Sequence, residues 1–480
     1  MTQTIKTASQ RFHAPELVTK QLKLNCVGDR RKVRLSSNFL PLMGFQPETR
    51  VSVSVLKDGG FQVSPDPAGE HKVHLRRYRR GRSNNPLETV VEFASQSLIR
   101  GTFPPGVDQF HIQMRKNQLQ FRPVPNRVFN IRQQFSGRDP LRALVALTGG
   151  VDVHCLEQLG FKTDIIVEHR PTEARDRAQR RYINEVHALN CLRNASPRVV
   201  VNEDFYELDP AMLRQWVDEG EPISVAHFSI GCDDFSFLKS ESMKERSVAD
   251  GSTMVDMVYP LIRAVETLGG VPVVVVENVR GFMNSGAGTI LRSMLTRFGY
   301  HVSENVLCAR DHGGHQNRER YYLVASLFPG YVPPSPFPRK TDSIWPIIEP
   351  HLADCRDVSH CKTVKNRATS GRNVPPLLNK DSQFCPTIIK SQGRGVRDAV
   401  YLEHEGRILA PSEGLLKDLM SIDPAFDTSW MAQDLAIETL GQSIDGALHS
   451  RVMAAVKAHI QENLGPGPVL RHAKQLSLAI

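Results

Sequence analysis

Residues Val271-Pro272-Val273-Val274-Val275-Val276-Glu277-Asn278-Val279 set four consecutive valines ahead of a glutamate. Such β-branched side chains favour a strand. With no polar residue alternating along it, that strand is buried on both faces, as in a parallel sheet covered by helices. Glu277 then stands at the carboxyl end of the strand, where open α/β sheets bind ligands. A carboxyl there is costly to bury unless paired or in use, and partial desolvation raises its pKa towards that of a proton donor.

The neighbouring sequence repeats the pattern. From Leu141 to about Phe328, apolar segments (ALVALTGG, KTDIIVEH, RVVVNEDF, ISVAHFSIG and RERYYLVAS) alternate with amphipathic helical stretches. This predicts an α/β domain with a mostly parallel sheet and helices on both faces. Residues 331 to about 405 are rich in Pro, Ser, Arg and Lys and read as a loop-dominated recognition segment or insertion. Helical patterning returns after Pro411 and runs to about Leu464.

Chemically useful residues fall at strand ends. Thr148-Gly149-Gly150 follows the first strand, and Glu168 closes the second. Two glycines let a ligand approach the backbone, and an acid about 20 residues on can hold a ribose diol. Asp204, after the third strand, is an acceptor suited to an adenine amino group. Cys232 lies in a loop leading from the fourth strand towards a helix, a setting that can lower a thiol's pKa. Cys155, Cys191 and Cys308 read as inert thiols. In Gln316-Asn317-Arg318-Glu319-Arg320 the two arginines share a face of an extended segment, able to hold a phosphate or orient a carboxylate.

The whole chain agrees with this reading. Its 480 residues predict two or three domains, and the formal charge of +9 suits a polyanionic partner. No apolar run is long enough for a membrane span and the first residues lack a secretory core, so a cytoplasmic protein is expected, with no membrane partner. The eight cysteines include no CxxC pair, which argues for reduced thiols. His351, Cys355, His360 and Cys361 come closest to a metal cluster, but their spacing matches no familiar zinc set, so no metal is expected.

Residues 1 to about 125 differ in texture, with short alternating runs such as Val51, Val53, Val55 that predict a β-rich region. It repeats: Phe45-Gln46-Pro47 through Pro65 overlays Phe103-Pro104-Pro105 through Pro123 at a constant offset of 58. The stretch KVRLSSNFLPLMGFQPETRVSVSVLKDGGFQVSPD, Lys32 to Asp66, resembles the AbrB-like swapped-hairpin domains of DNA-binding regulators. Such a region offers a surface for self-association. Between the copies, Arg76, Arg77, Arg79 and Arg80 flank Tyr78, a run able to neutralise phosphates or to serve as a solvated linker.

The ordered set TGG, VEH, GCDDFS, ENV, QNRER, RILAPSE and GQSI resembles the motif series of the C5-cytosine DNA methyltransferases over roughly residues 140 to 460. The resemblance implies a Rossmann-like, adenosylmethionine-dependent methyltransferase domain over 140–330 plus 411–465 and a target-recognition segment at 331–410; the alternating runs place a β-rich N-terminal domain over 1–128. It implies that Cys232 adds to C6 of a flipped cytosine in double-stranded DNA, that Glu277 acts at N3, and that Arg318 and Arg320 brace the site. Gly149, Gly150, Glu168, Asp204, Gln442 and Ser443 would hold S-adenosylmethionine. Cys385-Pro386-Thr387 resembles the Pro-Thr element ending the recognition region, making Gln316, Thr387, Lys390 and Arg394 candidate DNA contacts beside the N-terminal arginines.

The match departs in places. Ile230-Gly231 stand where the family has two prolines, Asp233 where it has Gln, Gln442 where Asn is usual, and Ala146-Leu147-Thr148-Gly149-Gly150 in place of Phe-x-Gly-x-Gly. The nucleophile and fold also serve RNA cytosine, and a DNA-binding regulator on a decayed methyltransferase fold is the non-enzymatic alternative.

Overall fold

Chain contacts divide the protein into two units, Met1–Gln133 and Gln134–Ile480. The structure is a computed structural model and describes residues 14–28, 30–57, 59–77, 87–104, 106–169, 185–236, 239–367 and 374–465.

In the first unit the described strands are β1 (Val18–Lys23), β2 (Asn25–Val27), β3 (Arg30–Ser36), β4 (Arg50–Val55), β5 (Phe61–Pro65), β6 (His71–Lys72), β7 (His74–Arg77), β8 (Leu87–Phe93), β9 (Gln109–Arg115) and β10 (Gln118–Val124). They form a six-stranded sheet, β1-β9-β10-β5-β4-β6, and a four-stranded sheet, β2-β3-β8-β7. The expected β-rich character is present. Alternation sets its inside: Phe110, Ile112 and Met114 of β9, with Leu119 and Phe121 of β10, are fully buried. Phe61 stacks on Phe121 at 4.9 Å and meets Phe93 edge-on at 5.1 Å, so aromatic packing joins both halves of the duplication in one core.

The repeat is a strand exchange inside one chain. β1 pairs with β9 of the second copy, while β6, leading into the second copy, pairs with β4 of the first. Where the copies meet, Gln62 opposes Gln120 between β5 and β10, and Arg34 opposes Glu92 between β3 and β8. Both pairs are separated by the repeat offset of 58, so both lie on one pseudo-two-fold axis. Two separate copies would set identical residues face to face there. Here the axis carries opposite charges: Arg34 Nε and Lys32 Nζ both bond Glu92. Pairing two first copies would oppose Arg34 to Arg34, and two second copies Glu92 to Glu92. The divergence favours closure within the chain.

The second unit is built on β11 (Arg142–Ala146), β12 (Lys162–Val167), β13 (Val199–Val201), β14 (Val225–Ser229), β15 (Val273–Asn278), β16 (His301–Cys308), β17 (Gln316–Asn317) and β18 (Glu319–Ser326). Among the described residues these give a seven-stranded sheet ordered β13-β12-β11-β14-β15-β18-β16, with β17 outside it. The pairs from β13 to β15 are parallel, and β18 is antiparallel to both neighbours. Val273 to Val276 are wholly buried, as the unbroken valine run predicts.

Helices Pro210–Asp218, Val258–Leu268 and Gly286–Arg297 pack together, and Val151–Gln158 contacts Val186–Asn194 and Gly446–Leu464. Helix Val258–Leu268 buries Val258, Leu261, Ile262, Val265 and Leu268, a stripe at i, i+3, i+4, i+7 and i+10, and ends on Gly269 at φ 67°. The sheet order reverses direction between β11 and β14, the position at which such sheets bind ligands. The segment from residue 331 onward is not separate: Ile344, Trp345, Ile348, Leu378 and Leu402 share a core with Leu415, Leu416 and Leu440 and with Val151 and Cys155. Among the described residues no helix is long and apolar enough to cross a membrane.

The axis pair is testable. Arg34→Glu should destabilise the first unit by about 1 kcal/mol, the scale of a partly exposed ion pair turned repulsive, and Arg34→Glu with Glu92→Arg should recover most of that loss. Hydrogen exchange of residues 30–36 and 87–93 in the full chain reads it; equal exchange in the single and double variants would contradict the role of the pair.

Candidate active site

β14 and β15 lie side by side with Ser229 level with Glu277, and Tyr322 of β18 faces Glu277 from the other side. Cys232 leaves β14 three residues beyond Ser229, and Arg320 stands two residues before Tyr322. Arg320 Nε is 3.0 Å from Glu277 Oε1, both side chains being largely buried. The approach is an ion pair without an aligned hydrogen bond, leaving Oε1 without a hydrogen-bond partner. Burial pushes the Glu277 carboxyl up, against the pull of Arg320 and Arg318. Half-buried Cys232 feels the same competition: burial pushes the thiol up, Arg320 draws it down, Asp233 and Glu277 push it up, and Arg318 draws it down.

The loop around Cys232 is held from two sides. Asn278, 1% exposed, donates from Nδ2 to the Ile230 carbonyl at 2.9 Å. Asp234 accepts from Lys239 Nζ (2.6 Å), Ser247 Oγ (2.8 Å), the Met254 N–H (2.7 Å) and Thr253 Oγ1 (3.4 Å). Burial alone would push this carboxyl up, but the bonds from Lys239, the Met254 amide and Ser247 outweigh it and hold it below the usual range. A Cβ on Gly231 would come within 2.6 Å of Met254 Sδ, so Met254 fills the space a proline ring at that position would need. The departure at Gly231 and the position of Met254 thus fit each other.

The QNRER segment corrects two expectations. Gln316, an expected DNA contact, is fully buried: its Nε2 donates to Asp445 at 3.3 Å and its Oε1 accepts from the Ile388 N–H at 3.1 Å. It braces the fold and has no surface to offer DNA. Arg318 is 1% exposed and donates to the carbonyls of Ile388 (2.7 Å), Gly441 (3.4 Å) and Ser443. It therefore holds backbone rather than a phosphate, while Arg320 alone meets the carboxylate. Asp445, which burial pushes up to about 6, caps helix Gly446–Leu464.

Thr387 is partly exposed and donates to the Asn317 carbonyl at 2.8 Å, while Lys390 and Arg394 lie 4.0 and 3.0 Å from buried Glu438. Arg76 and Arg77 are exposed on β7; Arg79 and Arg80 lie outside the described residues. His351 bonds Asp418 at 2.8 Å, and no group of three or more His, Cys, Asp or Glu among the described residues is placed to hold a metal.

On the other side of the switch point, Gly150 adopts φ 106°, and the Thr148 hydroxyl accepts its N–H at 2.9 Å. The Gly149 carbonyl accepts from Asn190 Nδ2 at 2.7 Å. Glu168, 3% exposed, lies 3.1 Å through Oε1 from His187 Nδ1, whereas Oε2 is buried without a partner. Gln442 Nε2 meets His187 Nε2 at 2.9 Å, so Glu168 and Gln442, 274 positions apart in sequence, join through a histidine the motif reading missed. Ser443 bonds the Leu440 carbonyl through Oγ at 2.7 Å. Asp204 stays exposed beyond β13, accepting the Tyr206 N–H at 2.9 Å. Asp234 and Asn278 were also missed, although both sit inside quoted motifs, where an acid and an amide beside a nucleophile are signals for loop anchoring.

This arrangement defines a Rossmann-like methyltransferase fold, and comparison with known proteins narrows it. Residues 221–444 match the family model of the C-5 cytosine-specific DNA methylases. It is 32% identical over 110 residues to the type II methyltransferase M.MspI of Moraxella sp, covering 22% of this chain and 26% of that protein, so the match spans about a quarter of the relative. Solved structures of similar fold include DNMT2 of Spodoptera frugiperda (16% identity, TM-score 0.50, 66% of this chain and 99% of the other). Another is the Entamoeba histolytica methyltransferase EhMeth (12% identity, TM-score 0.50, 67% of this chain and 99% of the other).

Removing the Asp234 anchor should free the segment it ties down. Asp234→Ala is expected to loosen residues 239–254 by about 3 kcal/mol, the scale of several bonds to one charged acceptor, and to speed alkylation of Cys232 by iodoacetamide. Hydrogen exchange and the alkylation rate check this; an unchanged segment would contradict the anchoring role.

Proposed function

We propose that this protein transfers a methyl group to carbon 5 of cytosine in double-stranded DNA, with Cys232 as the covalent nucleophile and S-adenosylmethionine as the methyl donor. The observation that carries the reading is the convergence of half-buried Cys232 with the buried Glu277–Arg320 pair at adjacent strand ends. The methylase match over residues 221–444 supports it.

The cofactor side fits on the chain's own chemistry. Glu168 keeps one buried carboxylate oxygen unpartnered, as a ribose hydroxyl requires. A Cβ on Gly149 would meet nothing nearer than Thr439 at 3.6 Å, so the backbone is open to a ligand. Gly149, Gly150, Glu168, Asp204, Gln442 and Ser443 would hold adenosylmethionine, which when bound supplies a methyl group on a sulfonium.

C5 of cytosine is a poor nucleophile within its aromatic ring. The Cys232 thiol gives up its proton to solvent and its sulfur bonds C6; the C5=C6 pair shifts to C4=C5 while the C4=N3 pair takes the Glu277 proton, leaving C5 as an enamine carbon. Burial pushes the Glu277 carboxyl up, in the direction a proton donor needs, and Arg320 fixes its orientation. Once C5 carries the methyl group, with adenosylhomocysteine as the leaving group, the C5 proton passes to water, the C5=C6 bond re-forms as Cys232 leaves as a thiolate, and N3 returns its proton to Glu277. The base must leave the stack first, at a cost of a few kcal/mol. The net charge of +9 suits the backbone contacts this needs.

Incubation with methyl-labelled adenosylmethionine and either duplex DNA or tRNA tests the proposal, read by nucleoside mass spectrometry. Label at C5 of DNA cytosine is expected, with a loss of about a thousand-fold or more in Cys232→Ala and roughly a hundred-fold in Glu277→Gln. Label confined to tRNA would move the substrate to RNA. No label in either, with cofactor bound, would favour a DNA-binding regulator.

A further inference from the structure

His187 opens the helix Val186–Asn194 and faces both partners with its two ring nitrogens. A single neutral tautomer serves both contacts: Nδ1–H donates to Glu168 Oε1 at 3.1 Å, and Nε2 accepts from the Gln442 amide at 2.9 Å. The opposite tautomer would set a lone pair of Nδ1 against the carboxylate. The relay therefore ties the end of β12, the helix Val186–Asn194 and the end of the helix Gln433–Gln442 into one wall.

Gln442 belongs to the same device. An asparagine, one methylene shorter, would fall roughly 1.5 Å short of the ring, the length of a C–C bond. The unusual glutamine and the histidine thus account for each other. Gln442 is also set from behind, because Arg318 binds the carbonyls of Gly441 and Ser443 on either side of it.

The relay occupies one carboxylate oxygen of Glu168 and leaves the other, Oε2, buried and without a partner. We propose that His187 is a positioning residue for the cofactor, clamping Glu168 so that a single oxygen, Oε2, is presented to one ribose hydroxyl. The proposal rests on the reading of Glu168 as the ribose acid. A carboxylate with both oxygens free accepts both hydroxyls of the diol, whereas one held as here recognises one of them.

Titration calorimetry of the full chain with adenosylhomocysteine and its 2′-deoxy and 3′-deoxy analogues tests this without turnover. Wild-type protein should bind one deoxy analogue about ten-fold more weakly than the parent and the other nearly as well, the scale of one hydrogen bond to a charged acceptor. His187→Ala should bind the parent about ten-fold more weakly and lose the distinction between the analogues, because Glu168 is no longer fixed. His187→Asn, which keeps a donor near Nδ1 but places no acceptor where Nε2 lies, should retain the distinction, with circular dichroism confirming that both variants are folded.

If His187→Ala binds the parent as tightly as wild type, or more tightly, or keeps the full distinction, the positioning role is overturned while the cofactor reading stands. If wild-type protein binds none of the three ligands, the cofactor reading falls and the proposal with it.

Discussion

A carboxylate at the end of an all-valine strand is the constraint on which the second unit depends. Four fully buried residues lead to Glu277, itself only 7% exposed, so the group meets low dielectric on nearly every side. Such a charge is destabilising unless a partner is delivered to it. β18, running antiparallel beside β15, delivers Arg320, and the same extended segment sends Arg318 inward to the backbone of residues 388, 441 and 443. One extended segment thus answers the buried acid, ties the backbone of Ile388 to the sheet, and holds the carbonyls on either side of Gln442. Replacing the ion pair with apolar residues could stabilise the fold, which points to chemistry as the reason it is kept.

The elements most legible in the sequence were those whose cause is local. Valine runs, glycine turns and strand-end acids follow from the chain's own periodicity, and they placed Cys232 and Glu277 at the ends of consecutive strands. The less legible features depend on partners far away in sequence. Nothing near Gln316 reveals that Asp445 and Ile388 will enclose it, and Lys390 and Arg394 read as free cations until Glu438 arrives from a later helix. His187 carried no motif at all, since its meaning comes only from the meeting of β12 with the end of the helix Gln433–Gln442. The departures around Cys232 were visible, but their reason, Met254 lying where a proline would stand, required the fold.

The first unit shows how a duplication changes what a symmetric fold can do. The offset of 58 was legible as repetition, yet the exchange of strands between copies and the placement of Arg34 and Glu92 on the shared axis were not. An axis in a homodimer cannot carry a heterologous charge pair; a fused chain can. The pairing surface that joins two chains in a symmetric dimer is used here within one, and its two faces are free to differ.

The central claim is that Cys232 forms a bond to the base while Glu277 and Arg320 support the ring. Its most direct measurement is mass spectrometry of the protein after incubation with adenosylmethionine and duplex DNA containing 5-fluorocytosine, in which the fluorine at C5 blocks release. The account predicts a denaturation-resistant adduct whose peptide carries the modification on Cys232 and which is absent from Cys232→Ala. An adduct that survives that substitution, or none from folded wild-type protein that binds adenosylhomocysteine, would contradict it.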